Sequence, residues 1–169
     1  SPAGAGAATL VLFHEEKYDV LATGLTHATL VDVRRVGGTS DVESNAQAGA
    51  ADVGGRTAFR ALRRRIHKKD GRVLLPERTP GAAQAHADLA QLEQGDYVEA
   101  VYESWTIPGE LGTVSIDTPD MLPERTAVKE AHVTLAVPDG SRMKVWSHPL
   151  LGKPTATTQG GRTTRTWSV

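Results

Sequence analysis

Cysteine and long apolar runs are missing from this chain, and each absence excludes a class of protein. The 169 residues contain no cysteine, so disulfide scaffolds, thiolate metal sites and cysteine nucleophiles are excluded. No apolar run approaches the roughly 18 residues of a membrane-spanning helix, and we expect no membrane span. The first residues include neither an initiator Met nor the apolar core of a signal peptide. We therefore expect this chain to be part of a longer protein.

The overall charge is nearly balanced, with 19 Lys and Arg residues against 20 Asp and Glu residues. A net charge of −1 gives no global field that would attract nucleic acid or anionic lipid. Apolar residues make up 39% of the chain and charged residues 23%, which is typical of a globular protein rather than a disordered one. The length predicts one domain. We assign it to residues 9–169, after a flexible lead-in of Ala and Gly over residues 1–8.

Short segments rich in Val, Leu and Thr alternate with turn residues along the chain, which is the pattern of β-strands. The predicted strands cover residues 10–20, 25–36, 57–68, 73–75, 97–105, 127–137, 143–148, 155–159 and 162–169. Turn signals every ten or so residues predict an all-β fold, an antiparallel β-sandwich with long loops and at most short helical turns, such as one near residues 82–86. The long loops are expected at residues 37–55 and 106–126, the second with a short β piece at Thr113–Ile116.

The alternation along each strand also predicts which side chains face the core. Val98, Ala100 and Tyr102 should share one face of their strand. The other predicted inward sets are Ala131, Val133, Leu135 and Val137, and Leu25, His27, Thr29, Val31 and Val33.

Three segments of the chain, taken in order, carry a resemblance to a known family. The first runs from Ala61-Leu62-Arg63 to Asp70-Gly71-Arg72-Val73, and the second from Leu92 through the Gly95-Asp96 turn to Tyr102. The third is the strand Val128–Val137 with its Pro138-Asp139-Gly140 turn, and the chain closes on Thr166-Trp167. In these segments the chain resembles a bacterial domain of unknown function that typically precedes a transglutaminase-like, papain-type core in large exported proteins.

The resemblance implies a β-sandwich for which no functional residues are established. The neighbouring core would supply the catalytic Cys, His and Asp, and this chain would act beside it. The resemblance further implies a periplasmic, cell-surface or secreted location and a neighbouring domain or protein as partner. The loops at residues 37–55 and 106–126 are longer than the family pattern leads us to expect.

We predict no catalytic, cofactor-binding or metal-binding residues. No two histidines stand two or four residues apart, as the histidines of zinc sites commonly do; the six are His14, His27, His67, His86, His132 and His148. Ser147 and His148 are adjacent, which in a strand directs their side chains to opposite faces. His132 and Glu130 are interpreted as exposed polar residues. Since no nucleophile elbow, phosphate loop or dinucleotide fingerprint is present either, we expect no enzyme activity.

The most pronounced charge feature is a basic segment over residues 56–72, in which Asp70 is the only acidic residue. Aromatic residues that could stack on bases are missing there apart from Phe59, so we do not expect nucleic acid to be the partner.

Two interpretations of this basic segment stay open. In the first, Arg63 and Arg65 pair across the sheet with Glu99 and Glu103 and form a ladder of charges. In the second, the segment is a contact face for an anionic group or an acidic peptide. The residues of this contact face would be Arg60, Arg63, Arg65, Lys68 and Lys69.

Together these observations favour a noncatalytic accessory module that binds a partner or serves as a scaffold next to a transglutaminase-like domain. One alternative is a hydrolase or transferase with a site on the loops at residues 37–55 and 106–126. Another is a purely structural spacer. The residues encoded after Val169 would discriminate among these hypotheses, because a papain-type core there would support the accessory role.

Overall fold

The computed structural model describes residues 10–38, 56–75, 91–110, 113–114, 116, 127–145, 147 and 152–169. Within these ranges the chain forms nine strands and no helix, which confirms the all-β class. The strands are β1 (Leu10–Val20), β2 (Thr26–Arg35), β3 (Thr57–His67), β4 (Val73–Leu74), β5 (Tyr97–Thr106), β6 (Ala127–Val128), β7 (Ala131–Pro138), β8 (Thr155–Gln159) and β9 (Arg162–Ser168). The lead-in and the helical turn expected near residues 82–86 lie outside the described residues.

All nine strands belong to one hydrogen-bonded sheet. Its order is β4-β3-β5-β2-β1-β7-β9-β8, and the short β6 also pairs with β1. Strand β1 runs parallel to β6 and β7, whereas all other pairs are antiparallel. The sheet is thus mixed and mostly antiparallel. The predicted division into the two sheets of a sandwich is not confirmed, since all nine strands belong to this one sheet. Alternation along a strand predicts which face is buried, but it does not predict how many sheets the strands form.

Three of the predicted hairpins are confirmed: β1 with β2, β3 with β4, and β8 with β9. The turn between β3 and β4 shows why glycine is favoured at position 71. The Gly71 N–H donates to the Lys68 carbonyl at 3.0 Å, and the Lys68 N–H donates to the Arg72 carbonyl at 2.8 Å. Gly71 has a φ of 85°, a conformation that costs a residue without a side chain little.

The hairpin predicted between residues 127–137 and 143–148 is wrong. Residues 141–145 are described and form no strand; β7 pairs instead with β9, the last strand of the chain. The Asp139 N–H donates to the Gly161 carbonyl at 2.9 Å, so the turn after β7 is fastened to the β8–β9 turn. The short β piece predicted at Thr113–Ile116 is likewise not formed by its described residues.

One face of the sheet carries the buried side chains, and we call it the inner face and the opposite one the outer face. Two apolar clusters lie on the inner face. The first contains Val20, Ala131, Val133, Leu135, Val137 and Trp167, and the second Val36, Ile66, Leu92 and Val98. The inward sets predicted for β5 and β7 are confirmed, since Val98, Ala100 and all four β7 residues are buried and Tyr102 is half-buried on the same face.

The inward face predicted for β2 is wrong. The buried residues of β2 are Thr26 and Asp32, which belong to the opposite face from Val31 and Val33. An aspartate can occupy this inner position because His14 and the neighbouring arginine of β2 bind its carboxylate. The apolar pattern of β2 predicts the wrong face because the charge of its buried Asp32 is compensated by His14 of β1.

Candidate functional site

Two glutamates on the outer face of β5 bind the arginines of β3. Glu99 Oε1 lies 2.5 Å from Arg63 Nη2, and Glu99 Oε2 lies 3.8 Å from Arg65 Nη1. Glu103 Oε2 accepts a hydrogen bond from Arg60 Nη2 at 2.5 Å. The ladder predicted from the sequence is therefore present, but Glu99 takes both expected arginines and Glu103 takes Arg60.

A β-bulge in β3 determines this pairing. The register of β3 against β5 shifts around Leu62, which is an extra residue on the β3 side. An inserted residue reverses the face to which the following side chains point. The even-numbered Arg60 and the odd-numbered Arg63 and Arg65 consequently all lie on the outer face.

Two histidines complete the ladder. His67 Nε2 lies 3.0 Å from Glu99 Oε2, and His27 Nε2 lies 2.9 Å from Glu103 Oε1. The His27 ring also stacks on Trp105, with ring centroids 4.1 Å apart.

The ladder keeps both glutamates charged. Burial by itself would raise the pKa of Glu99, but the hydrogen bond with His67 and the charges of Arg63 and Arg65 hold it below its usual value. The hydrogen bond from Arg60 lowers the pKa of Glu103. A general acid must be protonated near neutral pH, so neither carboxylate is suited to that role.

Four of the five residues of the predicted contact face remain accessible. The side chains of Arg60, Arg63 and Arg65 are 70%, 46% and 40% exposed on the outer face, and Lys69 is exposed after β3. Lys68 is far less accessible, because its side chain is only 8% exposed and its ammonium is bound by Asp96. Whether the five residues bind a partner stays a prediction.

Lys68 fastens the end of β3 to the turn before β5. Its ammonium donates to Asp96 Oδ2 at 2.7 Å and to the Gln91 carbonyl at 2.9 Å. Asp96 is fully buried, and the same Oδ2 accepts the Glu93 N–H at 2.9 Å. The hydrogen bond to Asp96 raises the pKa of Lys68. The Gly-Asp turn that carried much of the family resemblance is thus a structural element of the described sheet.

A buried charged cluster on the inner face was missed by the sequence analysis. His14 Nδ1 lies 3.0 Å from Asp32 Oδ1, and His14 Nε2 lies 3.0 Å from Glu16 Oε1. The Tyr18 hydroxyl donates to Glu16 Oε2 at 2.8 Å, and Arg34 Nε donates to Asp32 Oδ2 at 2.5 Å. His14, Glu16 and Asp32 are each at most 4% exposed. We call these five residues the His14 network.

The His14 network has the chemistry of a buried ion pair rather than that of a catalytic dyad. Burial by itself lowers the pKa of His14, but the hydrogen bonds with Asp32 and Glu16 outweigh it and raise the pKa to about 9. At neutral pH both ring nitrogens therefore carry a proton and donate to the two carboxylates. A general base needs an unprotonated nitrogen, which His14 does not offer.

The sequence contained a signal for this network, because residues two apart in a strand share a face and His14 and Glu16 have that spacing. A histidine and a glutamate two apart in a strand are usually an exposed polar pair, as Glu130 and His132 are, so the spacing alone does not indicate a buried network. A second bulge also hid the pattern. The register of β1 against β2 shifts between Val11 and Phe13, which brings the buried Val11 and His14 to the same face although their numbers differ by three.

The other candidate residues take structural roles. His132 Nε2 lies 2.9 Å from Glu130 Oε1 and its Nδ1 lies 2.9 Å from Ser168 Oγ, in agreement with a polar surface pair. Ser147 Oγ donates to the Gly152 carbonyl at 3.2 Å, while its neighbour His148 lies outside the described residues. Most of the loops that would hold the alternative enzyme site lie outside them as well.

Among the residues that the structure describes, no group of three or more His, Asp and Glu side chains could hold a metal ion. In the same part of the chain no helix is long and apolar enough to cross a membrane.

Comparison with known proteins identifies a family and a solved structure that this chain resembles. A family model described as "Domain of Unknown Function with solved-structure structure" (DUF3857) matches residues 63–169. No curated protein matches the sequence. A crystal structure from Parabacteroides distasonis, described as that of a "putative protease", superposes with a TM-score of 0.70 at 17% sequence identity. The superposition covers 98% of this chain and 36% of that one, so the likeness shows the fold and this chain spans little more than a third of the other protein's length.

Proposed function

This chain belongs to the DUF3857 family of domains of unknown function, and from that premise we propose that it is a noncatalytic accessory module. It binds or positions a partner for a neighbouring catalytic domain of the transglutaminase-like, papain-type class, within a bacterial envelope or secreted protein. One observation carries the proposal: nearly the whole fold recurs as a minor part of a much longer chain, covering 98% of this chain and 36% of the other. A fold used in this way is a module of a larger protein.

The electrostatics of the sheet support the noncatalytic part of the proposal. Glu99 and Glu103 are held charged by arginines and histidines, and His14 is held protonated by two carboxylates. Acid–base catalysis needs groups whose pKa lies near the working pH. These pKa values are instead displaced away from neutrality in the direction that favours each charged form.

The activity test compares the isolated chain with the same chain extended by the flanking region of its own gene. Incorporation of a fluorescent amine into casein measures transglutaminase chemistry, and release of peptides from unfolded casein measures proteolysis. We expect neither reaction from the isolated chain, which has no thiol nucleophile. Turnover by the isolated chain that survives purification and disappears on a single substitution would refute the noncatalytic role.

The flanking gene sequence tests the identity of the neighbour. The proposal expects a Cys, His and Asp set in the order of a papain-type core beyond residue 169. A reading frame without such a core would contradict the transglutaminase-like assignment while leaving the fold and the family membership untouched.

A further inference from the structure

Two basic side chains share an open cleft at one end of the sheet, beside the charge ladder. The cleft has a volume of about 460 Å³, within the range of roughly 300–1,000 Å³ that is usual for ligand sites. It is lined by Arg35, Val36, Lys69, Gln94, Gly95 and Tyr97. We call it the Arg35–Lys69 cleft.

The cleft is formed where the end of β2, the start of β5 and two turns meet. Arg35 and Tyr97 oppose each other in the β2–β5 pair, so their side chains lie on the same outer face. The Gly95 N–H donates to the Val36 carbonyl at 2.7 Å and fixes the turn before β5 against the end of β2.

Lys69 lies close to Gly95. The φ of Gly95 is 86°, and a Cβ placed on it would lie 2.5 Å from Lys69 Cε. The stem of Lys69 therefore passes directly over this glycine, and a larger residue there would displace the flexible end of the lysine side chain. The cation of Lys69 lies at the wall of the cleft, next to the backbone of the turn before β5.

The charges around the cleft leave its two cations available. Glu93 and Asp96 are both bound by Lys68, and Glu99 is bound by Arg63, Arg65 and His67. Within the described part of the chain, no carboxylate forms an ion pair with Arg35 or Lys69. A guanidinium and an ammonium that face one cleft without a counter-charge form a site for an anionic group.

We propose that the Arg35–Lys69 cleft binds an acidic peptide segment of a protein partner. The guanidinium of Arg35 presents the paired N–H groups that match a carboxylate, and Lys69 supplies a second positive charge. The ring of Tyr97 provides an apolar surface for the stem of a Glu side chain. The amide of Gln94 can both donate to and accept from a peptide main chain.

Peptide is favoured over nucleic acid by the composition of the cleft. Single-stranded nucleic acid needs several stacking aromatics and a basic groove that follows the backbone, whereas among the described residues that line this cleft Tyr97 is the only aromatic. The inference rests on the proposed function, since it names the class of partner that the accessory module recognises.

The test measures binding of a fluorescein-labelled, amidated octapeptide of alternating Glu and Ala residues by fluorescence anisotropy. The matched peptide has Gln in place of every Glu. We expect the Glu peptide to bind the chain at least tenfold more tightly than the Gln peptide. The variants Arg35→Gln and Lys69→Gln should each weaken binding of the Glu peptide about tenfold, whereas Lys153→Gln, which makes the same charge change elsewhere on the surface, should not.

Several outcomes would overturn the proposal. The first two are no binding at millimolar peptide and equal binding after both cleft substitutions. The third is loss of binding on Arg63→Gln instead, which would identify the ladder face as the contact. The fourth is displacement of the labelled peptide by inorganic phosphate as effectively as by unlabelled peptide. Unchanged unfolding midpoints verify that the variants are folded. Mass spectrometry of the recovered peptide separates the two proposals: a cleaved peptide refutes the noncatalytic role, while an intact but unbound peptide refutes only the cleft.

Discussion

His14 lies between two carboxylates on a face of the sheet whose other buried side chains are mostly apolar. A buried ion pair adds little net stability compared with apolar residues of similar shape, but removing one partner is costly because a buried charge is left uncompensated. In this network the imidazolium is the shared partner of Glu16 and Asp32, so both acids depend on it. The charge state of the His14 ring therefore determines the free-energy cost of burying Glu16 on β1 and Asp32 on β2.

The free energy of unfolding should fall as the pH rises from about 6.5 to about 9. Because the pKa of His14 is raised from 6.5 to about 9 in the folded protein, its contribution is fully present below pH 6.5 and is lost as the pH passes through the folded value. The expected decrease is on the order of a few kcal/mol. Urea unfolding followed by circular dichroism across this window measures it.

The variant His14→Gln should be less stable and should lose most of this pH dependence. His132→Gln is the control, because His132 lies at the surface and should leave the slope unchanged. A wild-type stability that stays constant across the window would contradict the charged state assigned to His14.

Lys68 and Lys69 are neighbours in sequence, but replacing them should lower the free energy of unfolding by different amounts. Lys68→Met leaves the fully buried Asp96 without its cation, and we expect a loss of roughly 3–5 kcal/mol, as is typical when one partner of a buried pair is removed. Lys69→Met should stay within about 0.5 kcal/mol of the wild type, as exposed substitutions usually do. Chemical unfolding of both variants measures the difference, and equal losses would refute the buried role of Lys68.

At the scale of elements, strands with one apolar face could be predicted from the sequence and strands with compensated charges could not. Strand β7 alternates without interruption, so its bounds and its buried face follow directly from period two. Strand β2 places Asp32 inward, and only contact with His14 on β1 makes that position favourable. No property of β2 alone reports such a contact.

The two bulges set a second limit on prediction. Each adds one residue, at Leu62 in β3 and beside Leu12 in β1, and each reverses the alternation of the side chains that follow. The ladder was predictable as a set of charges but not as individual pairs, because the pairing depends on the bulge in β3. The Arg35–Lys69 cleft was not predictable, since it joins residues from three separate parts of the chain.

The Arg63–Glu99 pair should show coupling in a double-mutant cycle. Replacing each by Ala singly and together should give an interaction energy of about 0.2–1 kcal/mol, the range for exposed pairs across a sheet. The coupling should weaken in high salt because solvent ions screen exposed charges. Arg63 with the distant Glu130 is the control cycle, for which we expect additivity. A cycle for Arg63 and Glu99 without coupling would show that this ion pair does not contribute to the free energy of unfolding.

At the scale of the whole molecule, the continuity of the sheet joins two apolar clusters into one structure. The cluster around Trp167 lies on the side of β7 and β9, and the cluster around Ile66 lies on the side of β3 and β5. Strands β1 and β2 lie between these sides in the sheet order, and the His14 network ties them to each other. Neither half can unfold without breaking backbone pairs of the other.

This continuity predicts a single cooperative unfolding transition for residues 9–169. Two tryptophans report on the two sides, since Trp105 lies on β5 and Trp167 lies in the cluster beside β7. One variant keeps only Trp105, with Trp146 and Trp167 replaced by Phe, and the other keeps only Trp167. Within each variant the fluorescence midpoint in urea should equal the midpoint from far-UV circular dichroism, which reports the whole sheet.

The comparison within each variant removes the effect of the substitutions themselves, because replacing the buried Trp167 lowers the stability that both probes measure. Coincident midpoints in both variants are the result expected of one domain, in which the buried ion pairs of β1 and β2 must break together with the two clusters. If Trp105 and Trp167 instead report midpoints on opposite sides of the circular dichroism transition, the sheet consists of two units that unfold separately. The boundary between them would lie at β1 and β2, which the His14 network joins on the inner face.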